Sequence, residues 1–115
     1  AAGGVKFVEG AYMTFGADLR NAPGGKAVVE SFRKTGYEPE GYTLYSYSAV
    51  QAIAAAMKGT NELQDGRKLS KWLVENGADT VMGPIRWTPK GDLVTSSYVM
   101  YVWDKTGKYA ETAKF

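Results

Sequence analysis

Hydrophobic positions favour extended chain at the start, recur at helical spacing through the middle and run unbroken near the end. Residues 5–9 and 11–15 read as strands, because Val5, Phe7, Val8, Tyr12 and Thr14 are β-formers. Gly10 interrupts them as a bend or bulge, and Gly16 closes the second piece. A first helix is expected from near Asn21, a capping residue, with Pro23 in its first turn. Ala27, Val28 and Phe32 would form its narrow apolar face, and Gly36 stands where a left-handed cap is wanted. Tyr37-Glu38-Pro39-Glu40-Gly41 is a turn signal.

The clearest element is a second helix over 43–58. Tyr47, Val50, Ile53, Ala54 and Met57 fall on one helical face and predict its buried side. Ala49, Ala52, Ala55 and Ala56 raise helix propensity and allow a neighbour to approach the other side closely. Gly59 is the expected stop. Asp65 can cap a third helix running to about residue 76, with Leu69, Trp72 and Leu73 as its buried stripe and Gly77 as its end. Beyond Gly77 the period changes. Residues 80–82 and 85–87 read as short extended pieces broken by Gly83-Pro84, and Thr88-Pro89-Lys90-Gly91 is a turn. Residues 93–103 predict a long strand, which Asp104-Lys105-Thr106-Gly107 turns into a hairpin over 108–112. Both alternating sets along 98–103 are apolar, so that strand expects cover on both faces.

The order is thus extended chain, three consecutive helices, a crossover segment and a terminal β-hairpin. The helices have no strands between them to form a sheet of their own. Their faces could pack on one another, or they could be written for a sheet that lies outside this chain. At 115 residues the chain is long enough for one core. The 14 Gly punctuate the periodic segments, which implies many turns.

Composition then narrows the chemistry. A formal charge of +2 leaves no basic stripe for nucleic acid. With no Cys and no His, thiol nucleophiles, Cys–His pairs, zinc sites and the usual neutral-pH base are excluded. The longest apolar runs, 52–57 and 98–103, are too short to span a membrane. Glu38 and Glu40 flank Pro39 as paired carboxylates, but acid–base work needs a cleft, and a solvated loop is the plainer reading. Asp104-Lys105-Thr106-Gly107 has too few carboxylates for a calcium loop. Gly3-Gly4 and Gly24-Gly25 lack the Lys-Ser/Thr of a phosphate loop. No catalytic arrangement emerges, and neither an enzyme nor a cofactor is expected.

Two blocks are more specific. Gly41-Tyr42-Thr43-Leu44-Tyr45-Ser46-Tyr47-Ser48-Ala49-Val50-Gln51-Ala52 and the run from Asp79 through Gly83-Pro84 and Lys90-Gly91-Asp92 to Leu93 closely resemble one family. It is that of the type I periplasmic solute-binding proteins for branched-chain amino acids (Leu/Ile/Val), which serve ABC importers. The resemblance extends from Ala1 to about Lys114 and is to the family's C-terminal third. It implies an α/β fold, here a C-terminal fragment of a two-lobed clamp. Residues 1–15 and 93–115 would be second-lobe strands, 22–77 first-lobe helices and 79–92 the hinge crossover.

The same resemblance implies an amino-acid-like small-molecule ligand in the intact protein and an ABC permease as partner. Its location would be the periplasm, or a membrane-associated lipoprotein in a Gram-positive cell. Tyr42 corresponds to an aromatic residue lining the ligand cleft; its plainer reading is a helix-start ring resting on the core. Gly83 and Pro84 correspond to the hinge, where Gly tolerates a backbone change and Pro limits it; alone they read as a strand break. Thr88 stands where the family usually carries Asp, and the loop over 11–25 is longer, which leaves the ligand class open. A fragment of this kind is expected not to bind ligand by itself and to self-associate as a homodimer. The competing reading is an autonomous or engineered self-associating fragment with no ligand at all.

Overall fold

The computed structural model describes residues 4–95 and 98–113. Along the chain run β1 (Tyr12–Gly16), α1 (Lys26–Lys34), α2 (Thr43–Thr60), α3 (Gly66–Asn76), β2 (Ala78–Thr80), β3 (Gly83–Ile85), β4 (Tyr98–Trp103) and β5 (Tyr109–Glu111). They form two compact units, one of residues 1–17 with 97–115 and one of residues 18–96.

The first unit is a three-stranded antiparallel sheet in the order β1-β4-β5. Met13 opposes Tyr101, Phe15 opposes Val99, and Trp103 opposes Tyr109. These residues share one face, where the Tyr109 ring lies edge-on to Tyr101 at 5.3 Å and to Trp103 at 4.9 Å. The Tyr101 hydroxyl donates to the Gly16 carbonyl at 3.1 Å, so its buried polar tip is satisfied. The hairpin turn forms as expected: the Asp104 carboxylate accepts from the Thr106 and Lys108 N–H groups at 2.7 and 3.0 Å.

Three expectations for this unit need correction. Residues 5–7 are a single 3-10 turn instead of a strand. Pairing with β4 ends where Gly10 donates to the Trp103 carbonyl, and Gly10 at φ 77 turns the chain away. Among its described residues, the expected strand over 93–103 is regular only from Tyr98; Leu93 makes a lone bridge to Trp87, and residues 96–97 lie outside the description. Cover of β4 by the described residues is partial: Tyr101 is buried, Val99, Met100, Val102 and Trp103 are half-buried, and Tyr98 at the strand's start is 65% exposed.

The second unit has a core of Leu19, Val29, Leu44 and Val81, with Val28, Phe32, Tyr45 and Met82 packed against it. Its first helix begins at Lys26, later than expected. Asn21 instead closes a 3-10 turn, Leu19–Asn21, capped by the Asp18 carboxylate accepting from the Arg20 N–H at 3.0 Å. Helix α3 starts as read, with Asp65 accepting from the Arg67 and Lys68 N–H groups. Its stripe of Leu69, Trp72 and Leu73 is only half-buried.

Helix α2 is two residues longer than expected and buries the opposite side. Leu44, Ser48, Ala52 and Ala56 are its buried residues, whereas Tyr47, Val50 and Ile53 are 39%, 66% and 47% exposed. Small residues explain the choice: Ala52, Ala56 and Gly59 let α3 and β2 come close. A Cβ on Gly59 would run into the Trp72 indole, so Gly59 is a packing residue inside the helix. The stop is Asn61, held in the left-handed conformation at φ 52.

Candidate functional site

Tyr42 occupies the N-terminal boundary of α2, and its position is fixed from both sides. On the helix side, its carbonyl accepts the Ser46 N–H at 2.8 Å, and its ring meets Tyr45 edge-on at 6.2 Å. On the loop side, the Thr43 hydroxyl donates to the Glu40 carbonyl at 2.8 Å and accepts from the Tyr37 hydroxyl at 3.1 Å. Tyr42 is nonetheless 62% exposed. Its ring is largely exposed and leans on Tyr45, which itself packs against the core of this unit.

The loop before it is clasped by ions, which the reading of Glu38 and Glu40 as a plain solvated turn misses. Glu38 accepts from Arg33 at 2.6 and 2.8 Å and from Arg20 at 3.3 Å, while Arg20 also pairs with Asp18 at 2.7 Å. Pro39, between the two glutamates, is fully buried. The Arg33 guanidinium, then Arg20, hold the Glu38 carboxyl below its ordinary range, and the Arg20 hydrogen bond does the same for Asp18. A carboxylate held ionised in this way is unsuited to general acid work. Its effect is to fix the direction in which the chain enters α2.

Gly83 and Pro84 lie in β3, paired with Thr80 and Asp79 across a tight hairpin whose turn is Val81-Met82. The break in the extended segment therefore falls at 81–82, not at Gly83-Pro84. Gly83 has φ 91, a conformation that side chains disfavour. The Thr80 hydroxyl donates to the Gly83 carbonyl at 3.1 Å and accepts the Met82 N–H, also at 3.1 Å. The Gln51 side-chain oxygen accepts the buried Val81 N–H at 2.8 Å. Gln51 is thus a link from α2 to the hairpin that carries Gly83 and Pro84, and nothing in its sequence context signals it. Both residues belong to the unit of residues 18–96, and the chain passes to the other unit after Ala17 and near residue 97. Among the described residues, no group of three or more His, Cys, Asp or Glu could hold a metal ion.

No protein-family model matches the chain. Individual relatives do. The amino acid binding protein of Pseudomonas aeruginosa is 55% identical over 108 residues, covering 94% of this chain and 29% of that protein. The Leu/Ile/Val-binding protein homolog 1 of Brucella suis is 46% identical over 105 residues, covering 89% of this chain and 28% of the relative. By sequence, the chain matches the C-terminal portion of the Leu/Ile/Val-type solute-binding proteins. The fold agrees. An ABC transporter substrate-binding protein of Desulfitobacterium hafniense, solved in complex with Leu, superposes with a TM-score of 0.74 at 27% identity, over 91% of this chain and 32% of that one. A leucine-binding protein of Thermotoga maritima superposes with a TM-score of 0.71 at 21% identity, over 92% of this chain and 31% of that one. This chain spans about three-tenths of the length of the relatives it matches. Its mixed arrangement of helices and antiparallel strands is part of the type I binding-protein fold.

Proposed function

We propose that the chain is the C-terminal portion of an extracytoplasmic receptor that binds a branched-chain or other amino acid and delivers it to the permease of an ABC importer. The observation that carries this reading is the 55% identity, over 94% of the chain, to an amino acid binding protein. In the receptor, Tyr42 forms part of the ligand wall, an assignment supported by its anchored, outward-facing ring. Gly83 and Pro84, assigned to the hinge by resemblance, lie within the β2–β3 hairpin and not at the points where the chain passes between units. Any part they play in the hinge is therefore indirect, through the hairpin that precedes the crossing near residue 97. The receptor works in the periplasm, or on the outer face of a Gram-positive cell as a lipoprotein. Calorimetric titration of leucine, isoleucine and valine into a full-length protein carrying this segment tests the reading. Micromolar or tighter binding by that protein, with none by the 115-residue chain alone, is expected. A full-length protein without affinity for any of the three, or a 115-residue chain that binds by itself, refutes it.

A second reading, self-association of the isolated chain, is favoured by the sheet order β1-β4-β5. This order leaves β1 and β5 as the edges of the three-stranded sheet. Exchange of an edge strand between two copies would satisfy those edges. Light scattering at micromolar concentration distinguishes a dimer of the chain from a 12.5 kDa monomer.

A further inference from the structure

Helix α3 ends on an Asn-Gly pair, Asn76-Gly77. Of Asn21, Asn61 and Asn76, only Asn76 precedes a glycine. Asparagine is a chemically labile side chain. The backbone nitrogen of the next residue can attack its carboxamide carbon, and a glycine there has no side chain to hinder the approach. The fold demands this glycine. Gly77 has φ 70, and a Cβ on it would run into the Ile85 carbonyl and the Arg86 side chain. Close packing of the α3 end against the β2–β3 hairpin therefore builds a reactive pair into the chain.

The same turn keeps the two reacting groups apart. The Asn76 side-chain nitrogen donates to the Trp72 carbonyl at 2.9 Å, which draws the carboxamide back over the preceding turn. The Gly77 N–H donates to the Leu73 carbonyl at 2.8 Å, so its proton is engaged. Both bonds belong to the last turn of α3, and helix ends fray. Asn76 is exposed to water, whereas Gly77 and Ala78 behind it are buried. Asp65-Gly66, at the other end of α3, is a weaker candidate. Its carboxylate is a poor electrophile and is occupied by the Arg67 and Lys68 N–H groups.

We propose that Asn76-Gly77 is a deamidation site, opened by fraying of the C-terminal turn of α3, whose products loosen the junction between α3 and β2. Once both hydrogen bonds break, hydroxide takes the Gly77 amide proton and the nitrogen attacks Asn76 Cγ. The new N–Cγ bond closes a cyclic imide. The Cγ–Nδ2 bond breaks, and ammonia leaves with a proton from water, which restores the hydroxide. Water then opens the imide at either carbonyl, giving aspartate or isoaspartate. Aspartate sets a negative charge at the negative end of the helix dipole and cannot donate to the Trp72 carbonyl. Isoaspartate lengthens the backbone just ahead of Ala78, which is buried and opposes Ile85 in the hairpin. Neither product returns to asparagine when the turn closes.

The 115-residue chain is aged folded and in denaturant, at neutral and mildly alkaline pH, beside a peptide of residues 70–80 that gives the rate of the open pair. Peptide mapping by mass follows each asparagine, and an isoaspartate-specific methyltransferase counts the branched product. Residue 76 is expected to convert in the folded chain about ten- to a thousandfold more slowly than in the peptide. In denaturant it should reach the peptide's rate, and every rate should rise with pH because the attacking nitrogen must lose its proton. Asn21 and Asn61 should stay intact over the same time. A folded chain that converts as fast as the peptide, one that does not convert within that range, or one that changes first at Asn21 or Asn61 overturns the proposal. Asn76→Gln should abolish the isoaspartate signal, and its persistence places the reaction elsewhere and overturns the proposal too. Asn76→Asp supplies one product directly. It and the aged, isoaspartate-bearing fraction should both melt below the parent chain, and melting temperatures equal to the parent's refute the loosening of the junction. These readouts use no ligand and are independent of the transport reading.

Discussion

The side-chain oxygen of Gln51 accepts the backbone N–H of Val81 at 2.8 Å across 30 residues of sequence. Val81 is a core residue, 3% exposed, so without Gln51 this N–H would be buried and unpaired. Gln51→Leu should therefore destabilise the chain by about 1–3 kcal/mol, the usual penalty for orphaning a buried donor. Gln51→Glu keeps an acceptor in place and should recover most of the loss. Chemical denaturation monitored by circular dichroism compares the three, and equal midpoints would show that the Val81 N–H finds another acceptor.

Gly59 is in contact with the Trp72 indole, and a methyl group there would overlap the ring. Gly59→Ala would normally strengthen a helix, but here it should cost about 1–3 kcal/mol through overpacking between α2 and α3. In a Trp72→Leu background the same change should become neutral or stabilising. A double-mutant cycle on thermal unfolding measures this, and simple additivity would refute the steric explanation.

Glu62 should shape the acid limb of stability. Its carboxyl accepts the Gln64 and Leu63 N–H groups and faces the Lys68 ammonium, and its pKa falls to about 2, with the backbone hydrogen bonds the leading cause. A carboxylate with a lowered folded-state pKa contributes stability above its ordinary pKa, and this is lost as pH falls toward the lowered value. The window is therefore between the ordinary 4.5 and about 2. Asp104 and Glu38 shift in the same direction. Melting temperatures across that window should fall less steeply in Glu62→Gln than in the parent chain, and parallel curves would remove Glu62 from the account.

In a full-length receptor, Tyr42→Ala should weaken ligand binding by on the order of 1–3 kcal/mol, the scale of losing a packed aromatic. Tyr109→Ala, on β5, should leave affinity unchanged. Titration calorimetry decides; a Tyr42→Ala receptor with parental affinity would reduce this ring to a local contact with Tyr45.

Helix α2 shows how far the sequence could be read. Its existence and start followed from unbroken helical periodicity and high propensity, and the structure begins it at the expected Thr43. Its buried side could not be read the same way. Tyr47, Val50 and Ile53 are the larger apolar residues and so dominate a pattern argument, yet Ala52, Ala56 and Gly59 win because they allow close packing. Asp65 and Gly77 marked the ends of α3 correctly, since capping chemistry is local. Residues 5–7 were misleading for the opposite reason: β-propensity has no effect without a strand to pair with. For the candidate site, Tyr42 and Gly83 were accessible through resemblance alone. The Arg20–Glu38 contact of the clasp and the Gln51 link to Val81 join residues 18 and 30 positions apart, and no local pattern encodes such pairs.

The three-stranded sheet joins the two ends of the chain, with β1 held between residues 12 and 16 against a strand that begins only at Tyr98. This imposes an order on biosynthesis. As the chain leaves the ribosome, residues 18–96 contain all three helices and the β2–β3 hairpin and can begin to assemble from neighbouring contacts. Strand β1, made earlier, must wait for β4, and their pairing closes a loop of about 80 residues at an entropic cost that short-range contacts avoid. During that interval Tyr12, Met13 and Phe15 emerge as an unpaired β-forming segment. Strand β1, made before the three helices, is thus secured in this sheet only after them, and a nascent chain stalled before Tyr98 would carry it without its β4 partner.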